Sequence, residues 1–366
     1  MRRTLLTACI WLFTFFLSSC LPGIPQNPAS ADTQPTILFV YRFDVPAFVG
    51  FSSDFQVTRE IPFTIPPNCG LFSIFPAPVG QILLIELNCP NGQTVLFLDT
   101  ETDFVSQPVT SSDAHFLAWT GDGKSAYLKV DSLGNTQIVR ASVNGSKDDL
   151  PIPEFTYDLS SKPDSRDFTF TLSRGLGYGS ELYLAQNDGI NSQLLYADQY
   201  NYISYARFSL DGKQIAFIKT PDTQTPFTVG ELWVMDSDGE NARTLADADA
   251  GHGYAANWSP DGAKIAFVAR ENPDDENADQ SSEALISNIY VVDVKTGTLT
   301  QVTYLTEGWA ETPHWSPQGN ILGFNVVLNG RMQVQIADME SGEILPFETD
   351  IAPVGGSTCC PAWMRK

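Results

Sequence analysis

One pattern recurs along this chain. It consists of an aromatic residue, a tight turn built from Ser, Pro, Asp and Gly, and a run of strand-forming apolar residues. "WSPDGAKIAFVAR", Trp258–Arg270, is the fullest copy. "FSLDGKQIAFIK" begins at Phe208, "WSPQGNILGFNV" at Trp315 and "WTGDGKSAYLKV" at Trp119. Weaker copies are "SKPDSRDFTFTL", with Pro163-Asp164-Ser165 at the turn, and "APVGQILLIEL", with Gly80 there. The turn positions Gly80, Gly123, Ser165, Gly212, Gly262 and Gly319 are spaced by 43, 42, 47, 50 and 57 residues. Self-similarity at that period signals stacked repeats and outranks any local assignment.

Each unit has a second half. A strand ending in a turn follows the apolar run, as in "ELWVMDSDG", "NIYVVDVKTG" and "QVQIADMESG", with weaker versions in "VLFLDTETD", "QIVRASVNG" and "LYLAQNDG". A short last strand comes next, as in "ARTLA" and "LTQVT". The unit therefore reads as four antiparallel strands joined by Asp/Gly hairpin turns. A lone four-stranded sheet cannot bury both faces, so successive sheets must pack face to face around an axis. With 43% apolar residues, abundant Phe, Tyr, Gly and Pro and little helical periodicity, the composition agrees with an all-β chain.

The pattern resembles the TolB-type, WD40-like propeller repeat, with its W-S-P-D-G-x-x-I-A-F segment followed by Y-V-x-D-x-x-G. The match is close over Ser204–Gly342 and degraded over Gly70–Tyr196. The expected fold is all-β: a single β-propeller of seven four-stranded blades, or six if Gly70–Leu98 is not a true blade. Trp119, Phe208, Trp258, Trp315 and Trp363 start successive units and are expected to wedge between neighbouring blades. The chain ends in "CCPAWMRK", where Pro361-Ala362-Trp363 repeats the strand-one start and nothing follows to complete a blade. "PTILFVYRF" near the other end looks like strand two. The first blade is therefore expected to combine the C-terminal strand with Thr36–Pro66, which removes an exposed edge.

The first 19 residues read as a signal. Arg2 and Arg3 precede an apolar stretch from Leu5 to Leu17, too short for a comfortable membrane span. It ends in Leu17-Ser18-Ser19-Cys20, which resembles the lipobox of bacterial lipoproteins. That resemblance implies cleavage before Cys20 and lipidation of its sulfur, an anchor to a membrane surface without spanning it. Residues 20–35, rich in Pro, Ser, Ala and Asn, read as a flexible tether, leaving 36–366 for the propeller. The expected location is the cell envelope, outside the cytoplasm.

Without Arg2 and Arg3 the chain carries 19 basic against 43 acidic residues, a net charge of −24. Such a field repels phosphate backbones, so nucleic acid is not an expected partner. Cys9 leaves with the signal. Cys69, Cys89, Cys359 and Cys360 remain, an even number in an oxidising compartment. Cys69 and Cys89 flank what looks like two strands around a turn, which favours their pairing; Cys359 and Cys360 would form a vicinal disulfide or stay as two thiols. No Cys-x-x-Cys spacing suggests zinc.

Catalytic signatures are scarce. There is no Gly-x-Ser-x-Gly elbow, Walker loop or dinucleotide fingerprint. TolB carries an α/β domain before its propeller, and the residues between Cys20 and the first strand are too few for one, so the Tol–Pal role is not implied. His115 lies four residues before Trp119, His252 six before Trp258 and His314 one before Trp315. All three are expected in connections into innermost strands, on one rim. Glu307 and Glu311 share the connection of His314. His115, His252, His314 and Glu311 together would suit a divalent transition metal. This set is distantly similar to the propeller lyases that act on oligogalacturonate with a histidine-bound metal, which implies a metal-dependent carbohydrate-active enzyme as the alternative function. The plainer expectation is three unrelated histidines, no cofactor, and a non-catalytic module that binds a protein or glycan. "ENPDDENADQSSEA", Glu271–Ala284, reads as a solvated acidic insertion rather than a calcium loop, and "DSDGEN", Asp236–Asn241, as a hairpin turn.

Overall fold

The computed structural model describes residues 36–109, 113–132, 135–186, 189–223, 228–249, 254–275, 284–345 and 356–365. The signal, Cys20, the tether and His252 lie outside them. Chain contacts set Gln34–Lys366 apart as one compact unit.

Among the described residues the unit is built from strands that pair antiparallel in sets of four. Blade two comprises Gly70–Pro76, Ile82–Cys89, Gly92–Asp99 and Phe104–Ser106. Blade three comprises Ala114–Trp119, Ser125–Ser132, Asn135–Ser142 and Lys147–Asp149. Blade four is Thr156–Ser161, Phe168–Ser173, Ser180–Gln186 and Asn191–Asp198, and blade five is Asn201–Phe208, Gln214–Pro221, Val229–Asp236 and Arg243–Asp249. Blade six is Asn257–Trp258, Lys264–Arg270, Ser287–Asp293 and Leu299–Gln301, and blade seven is Trp309–Trp315, Ile321–Leu328, Arg331–Asp338 and Ile344–Leu345. Blades six and seven are bridged by one parallel pair, Ser287 with Trp309.

Blade one is shared between the chain ends. Thr358–Arg365 pairs with Thr36–Arg42, which continues into Ala47–Phe51 and Val57–Pro62. The register sets Leu38 opposite Trp363 and Thr36 opposite Arg365. Each blade packs on the next, and blade seven packs on the C-terminal strand of blade one, so the ring closes.

The recurrent turn has a chemical cause. In blade six the Ser259 hydroxyl donates to Asp261 Oδ1 at 2.6 Å and accepts the Lys264 amide at 2.9 Å. Thr120 with Asp122 and Ser209 with Asp211 repeat this in blades three and five. Gly123, Gly212, Gly262 and Gly319 follow with positive φ, which only glycine adopts freely. Blade four departs from the expectation. Its positive φ falls on Asp164, not on Ser165 at the glycine position, because asparagine and aspartate tolerate that region through local hydrogen bonds.

The aromatic residues at strand-one ends pack between sheets. Trp119 lies among blade-two residues Leu84 and Phe97 and blade-three residues Ala126 and Leu128. Phe208 sits between Leu182 of blade four and Phe217 of blade five, Trp258 between Ile218 and Phe267, Trp315 between Val291 and Phe324. Trp363 is half-buried against Leu38 of blade one and Ile336 of blade seven. Three indoles also donate hydrogen bonds backwards to the strand-one carbonyl of the preceding blade: Trp119 to Phe75 at 3.2 Å, Trp258 to Arg207 at 2.9 Å and Trp315 to Asn257 at 3.1 Å. In blade four Ser161 stands in the aromatic position, and its hydroxyl reaches the Trp119 carbonyl instead.

Cys69 is bonded to Cys89, tying the start of the first strand of blade two to the end of its second. Cys359 and Cys360 pair as a vicinal disulfide at the start of the C-terminal strand.

Candidate functional site

Antiparallel pairing sorts the connections onto two rims. The repeated Ser/Pro/Asp/Gly turns and the strand 3–4 hairpins share one rim. The strand 2–3 hairpins and the connections into each strand one share the other, and the candidate sites lie there.

The first candidate is an apolar patch on blades four and five. Phe155 (67% exposed) precedes the first strand of blade four; Leu176 (58%) and Tyr178 (68%) occupy its strand 2–3 hairpin; Tyr200 (71%) sits in the connection to blade five. Backbone bonds stitch these segments together. The Ser173 amide donates to the Phe155 carbonyl at 3.3 Å, and the Asp222 amide to the Tyr200 carbonyl at 2.8 Å. The Gly179 amide donates to Asp222 Oδ2 at 2.8 Å. A Cβ on Gly179 would lie 1.9 Å from the Asp198 carbonyl oxygen, so only glycine lets this hairpin approach the connection carrying Tyr200. Hydrophobic side chains gathered in the open on one rim are what a recognition surface presents. The sequence reading passed over all four residues. Its nearest signal was "SRGLGYGS", a hairpin with glycines at alternate positions and a tyrosine between them.

The second candidate surrounds His115. This residue is the second of its strand, not part of the connection before it, and lies opposite Lys129. His115 Nε2 is 3.2 Å from Asp113 Oδ1, and Nδ1 is 3.4 Å from Glu86 Oε1. Glu86 belongs to blade two and is only 2% exposed. Its carboxylate, by hydrogen bond and charge, holds the His115 pKa above the ordinary imidazole value against the opposing effect of burial. Asp131, on the strand paired with that of His115, completes a group whose ligand atoms all lie within 4.8 Å of one another. Asp113 and Asp131 were not among the sequence candidates.

Of the four residues expected to share a metal, His252 lies outside the described residues, and among the described residues His115, His314 and Glu311 form no group of ligand atoms close enough for one ion. His314 is also a strand residue, level with Gly323, whereas Glu311 on the same strand is level with Asn325. Two register positions amount to about 7 Å along a strand. The two residues also have separate partners. Glu311 accepts from Trp309 Nε1 at 2.7 Å, from Asn325 Nδ2 at 3.3 Å and from the Tyr254 hydroxyl. His314 Nδ1 lies 3.5 Å from Asn257 Nδ2. Packing around the His314 ring pushes its pKa down to about 4, so the ring is neutral at physiological pH. His115, on blade three, is two blades from blade one and three from blade seven around the ring. The sequence spacing to each tryptophan concealed the difference in level, because His115 stands three register positions from its Trp119 pair and His314 only one.

Residues 168–350 match the family model described as TolB beta propeller domain. Solved structures of similar fold include an oligogalacturonate lyase in complex with manganese, 13% identical with a TM-score of 0.55 over 85% of this chain and 84% of that one. TolB from Acinetobacter baumannii is 18% identical, with a TM-score of 0.50 over 91% of this chain and 83% of its own. A prolyl endopeptidase is 11% identical with a TM-score of 0.58, and this chain spans half of its length. At such identities the likeness is one of fold alone.

Proposed function

Because this chain belongs to the TolB β-propeller domain family, we propose that it works as a non-catalytic recognition module, held by a lipid on Cys20 at a membrane surface outside the cytoplasm. The observation that carries the reading is the patch of Phe155, Leu176, Tyr178 and Tyr200, four large side chains left in the open on a single rim. Tyrosine and phenylalanine supply large contact area at low entropic cost, which is why they anchor protein interfaces. The expected partner is a protein. The acidic body, with 43 carboxylates, favours one that presents basic groups around an apolar centre.

The lipobox-like Leu17–Cys20 segment supports the anchor, and the short Pro/Ser/Ala-rich stretch after it supports a tether. Family membership brings no reaction with it, because fold does not carry chemistry.

Site-specific photocrosslinking in the intact envelope tests the recognition surface. A photoreactive residue at position 178 or 200 is expected to give one discrete adduct, lost when Phe155→Ser and Leu176→Ser are added. Adducts spread over many proteins, or unchanged by those substitutions, would remove the reading. Metabolic labelling with an alkyne fatty acid tests the anchor separately: label on the wild type and none on Cys20→Ala is expected.

A further inference from the structure

We propose that Asp113, His115 and Asp131, backed by Glu86, form a binding site for one divalent first-row transition ion, Mn2+ or Zn2+, at the junction of blades two and three. The three donors come from adjacent strands of blade three. Asp113 directly precedes the first strand, His115 is its second residue, and Asp131 stands near the end of the second strand. The two strands hold these donors at fixed register, His115 opposite Lys129 and Ala114 opposite Val130. The Asp131 amide also donates to the Asp113 carbonyl at 2.9 Å, which closes the end of the pair. One ligand atom from each residue lies within 4.8 Å of the others. An ion with bonds of about 2.1–2.4 Å touches atoms up to roughly twice that distance apart, so one ion can reach all three with small side-chain shifts.

The surroundings of these donors match what metal sites require beyond their ligands. A ligating histidine commonly gives its second ring N–H to a carboxylate, which fixes the tautomer and raises the basicity of the ligating nitrogen. Here Glu86 takes that place. It reaches across from blade two with Oε1 3.4 Å from Nδ1, and its side chain is 3% exposed. The other nitrogen, Nε2, faces Asp113. Asp113 Oδ1 is itself oriented by the Gln93 amide of blade two at 3.0 Å, and Asp131 Oδ1 by the Thr136 hydroxyl. Glu86, buried by a second blade, fixes the ring so that Nε2 points toward Asp113.

The donor set decides the ion class. One imidazole with two carboxylates suits Mn2+ and Zn2+, whereas Ca2+ and Mg2+ prefer oxygen alone. Asp113, His115 and Asp131 keep about a third of their side-chain surface open, so an ion has access from solvent. Lys129 Nζ, 4.0 Å from Asp131 Oδ2, is a competing cation beside the cluster and would swing out to solvent. This site differs from the set expected from sequence, sharing only His115 with it.

The test is Mn2+ binding to the full-length protein in detergent, followed by the loss of the free-ion electron paramagnetic resonance signal. One ion per chain is expected, with 14N modulation from a coordinated imidazole in the spin-echo spectrum. His115→Gln should abolish that modulation and, like Asp113→Asn, weaken binding by about 100-fold or more, while Glu86→Gln weakens it by about 10- to 100-fold. Asp274→Asn with Asp275→Asn, in the acidic insertion, should leave affinity unchanged. Should a variant fail to fold by circular dichroism, Asp131→Asn serves in its place. Absence of one-to-one binding, an ion without nitrogen modulation, or an affinity that follows Asp274 and Asp275 would each overturn the proposal.

Discussion

Replacing Trp258 with Phe removes a single link between blades and has a counterpart elsewhere in the same ring. The Trp258 indole donates to the Arg207 carbonyl at 2.9 Å across the boundary of blades five and six, and the side chain is 6% exposed. Phenylalanine keeps the wedge but loses the donor, a net cost of about 1 kcal/mol for one hydrogen bond in a folded protein. The smaller ring also leaves roughly 40 Å² of apolar contact unfilled, or about 1 kcal/mol more at ~25 cal/mol per Å². The sum is about 2 kcal/mol. Phe208 occupies the equivalent position in blade five without a donor. Phe208→Trp should therefore supply a new bond toward the Ser160 carbonyl and recover up to about 1 kcal/mol, less any cost of overpacking. Urea denaturation followed by far-UV circular dichroism measures both, with an unchanged m-value as the sign that only stability moved. A Trp258→Phe protein within about 0.5 kcal/mol of wild type, where surface substitutions usually fall, would refute the view that indole donors hold neighbouring blades.

Three further outcomes are expected. Cys69→Ser with Cys89→Ser opens a bridge spanning 20 residues and should cost about 3 kcal/mol through the freed unfolded chain, whereas Cys359→Ser with Cys360→Ser, which closes no long loop, should cost little by that route; denaturation under non-reducing conditions compares them. Burial lowers the His314 pKa from 6.5 to about 4, so its neutral form supports the fold fully above pH 6.5, and that support is lost as pH falls toward 4. Melting temperatures from pH 7 to 4 should fall less steeply in His314→Asn than in wild type. Gly179→Ala must displace the Asp198 carbonyl as well as adopt a positive φ, while Gly177→Ala meets nothing within 4 Å. The former should lose the Tyr178 crosslink and more stability; the latter should lose only about 1 kcal/mol, measured by the same melts.

The ring was legible because its links repeat. A serine two residues before an aspartate, an aromatic before the serine and a glycine after the aspartate each perform a local task that any copy of the unit needs. The closure at Trp363 was legible for the same reason, since an unpaired first strand implies partners elsewhere. Blade four was harder to read. Ser161 replaces the aromatic, yet its hydroxyl still makes a backward link to strand one of blade three, to the Trp119 carbonyl, one residue further along than the indole links reach. The candidate sites were the least legible. Asp113, His115 and Asp131 meet only once the register of two strands is fixed, and Glu86 arrives from another blade. Tyr178 and Tyr200 are separated by 22 residues in sequence, and their segments come together only because Gly179 allows a backbone approach to Asp198 that no other residue permits.

The two rims differ in a way that bears on use. On one, the turns satisfy themselves: Asp122, Asp211 and Asp261 each accept from the hydroxyl of the turn and from a backbone amide, leaving short, closed loops. On the other rim lie both disulfides, the His115 cluster and the apolar patch of blades four and five. Departures from a repeat cost stability unless they are compensated, and here the compensation is local: covalent bonds on blades one and two, an ion-paired cluster between blades two and three, and backbone stitching between blades four and five. A ring that spends its irregularity on one rim, and holds each irregular loop in place, has the construction of a rigid platform with one working face. Crosslinks placed on the rim of repeated turns, at Asp238 or Glu340, should therefore capture no partner that those at Tyr178 and Tyr200 capture.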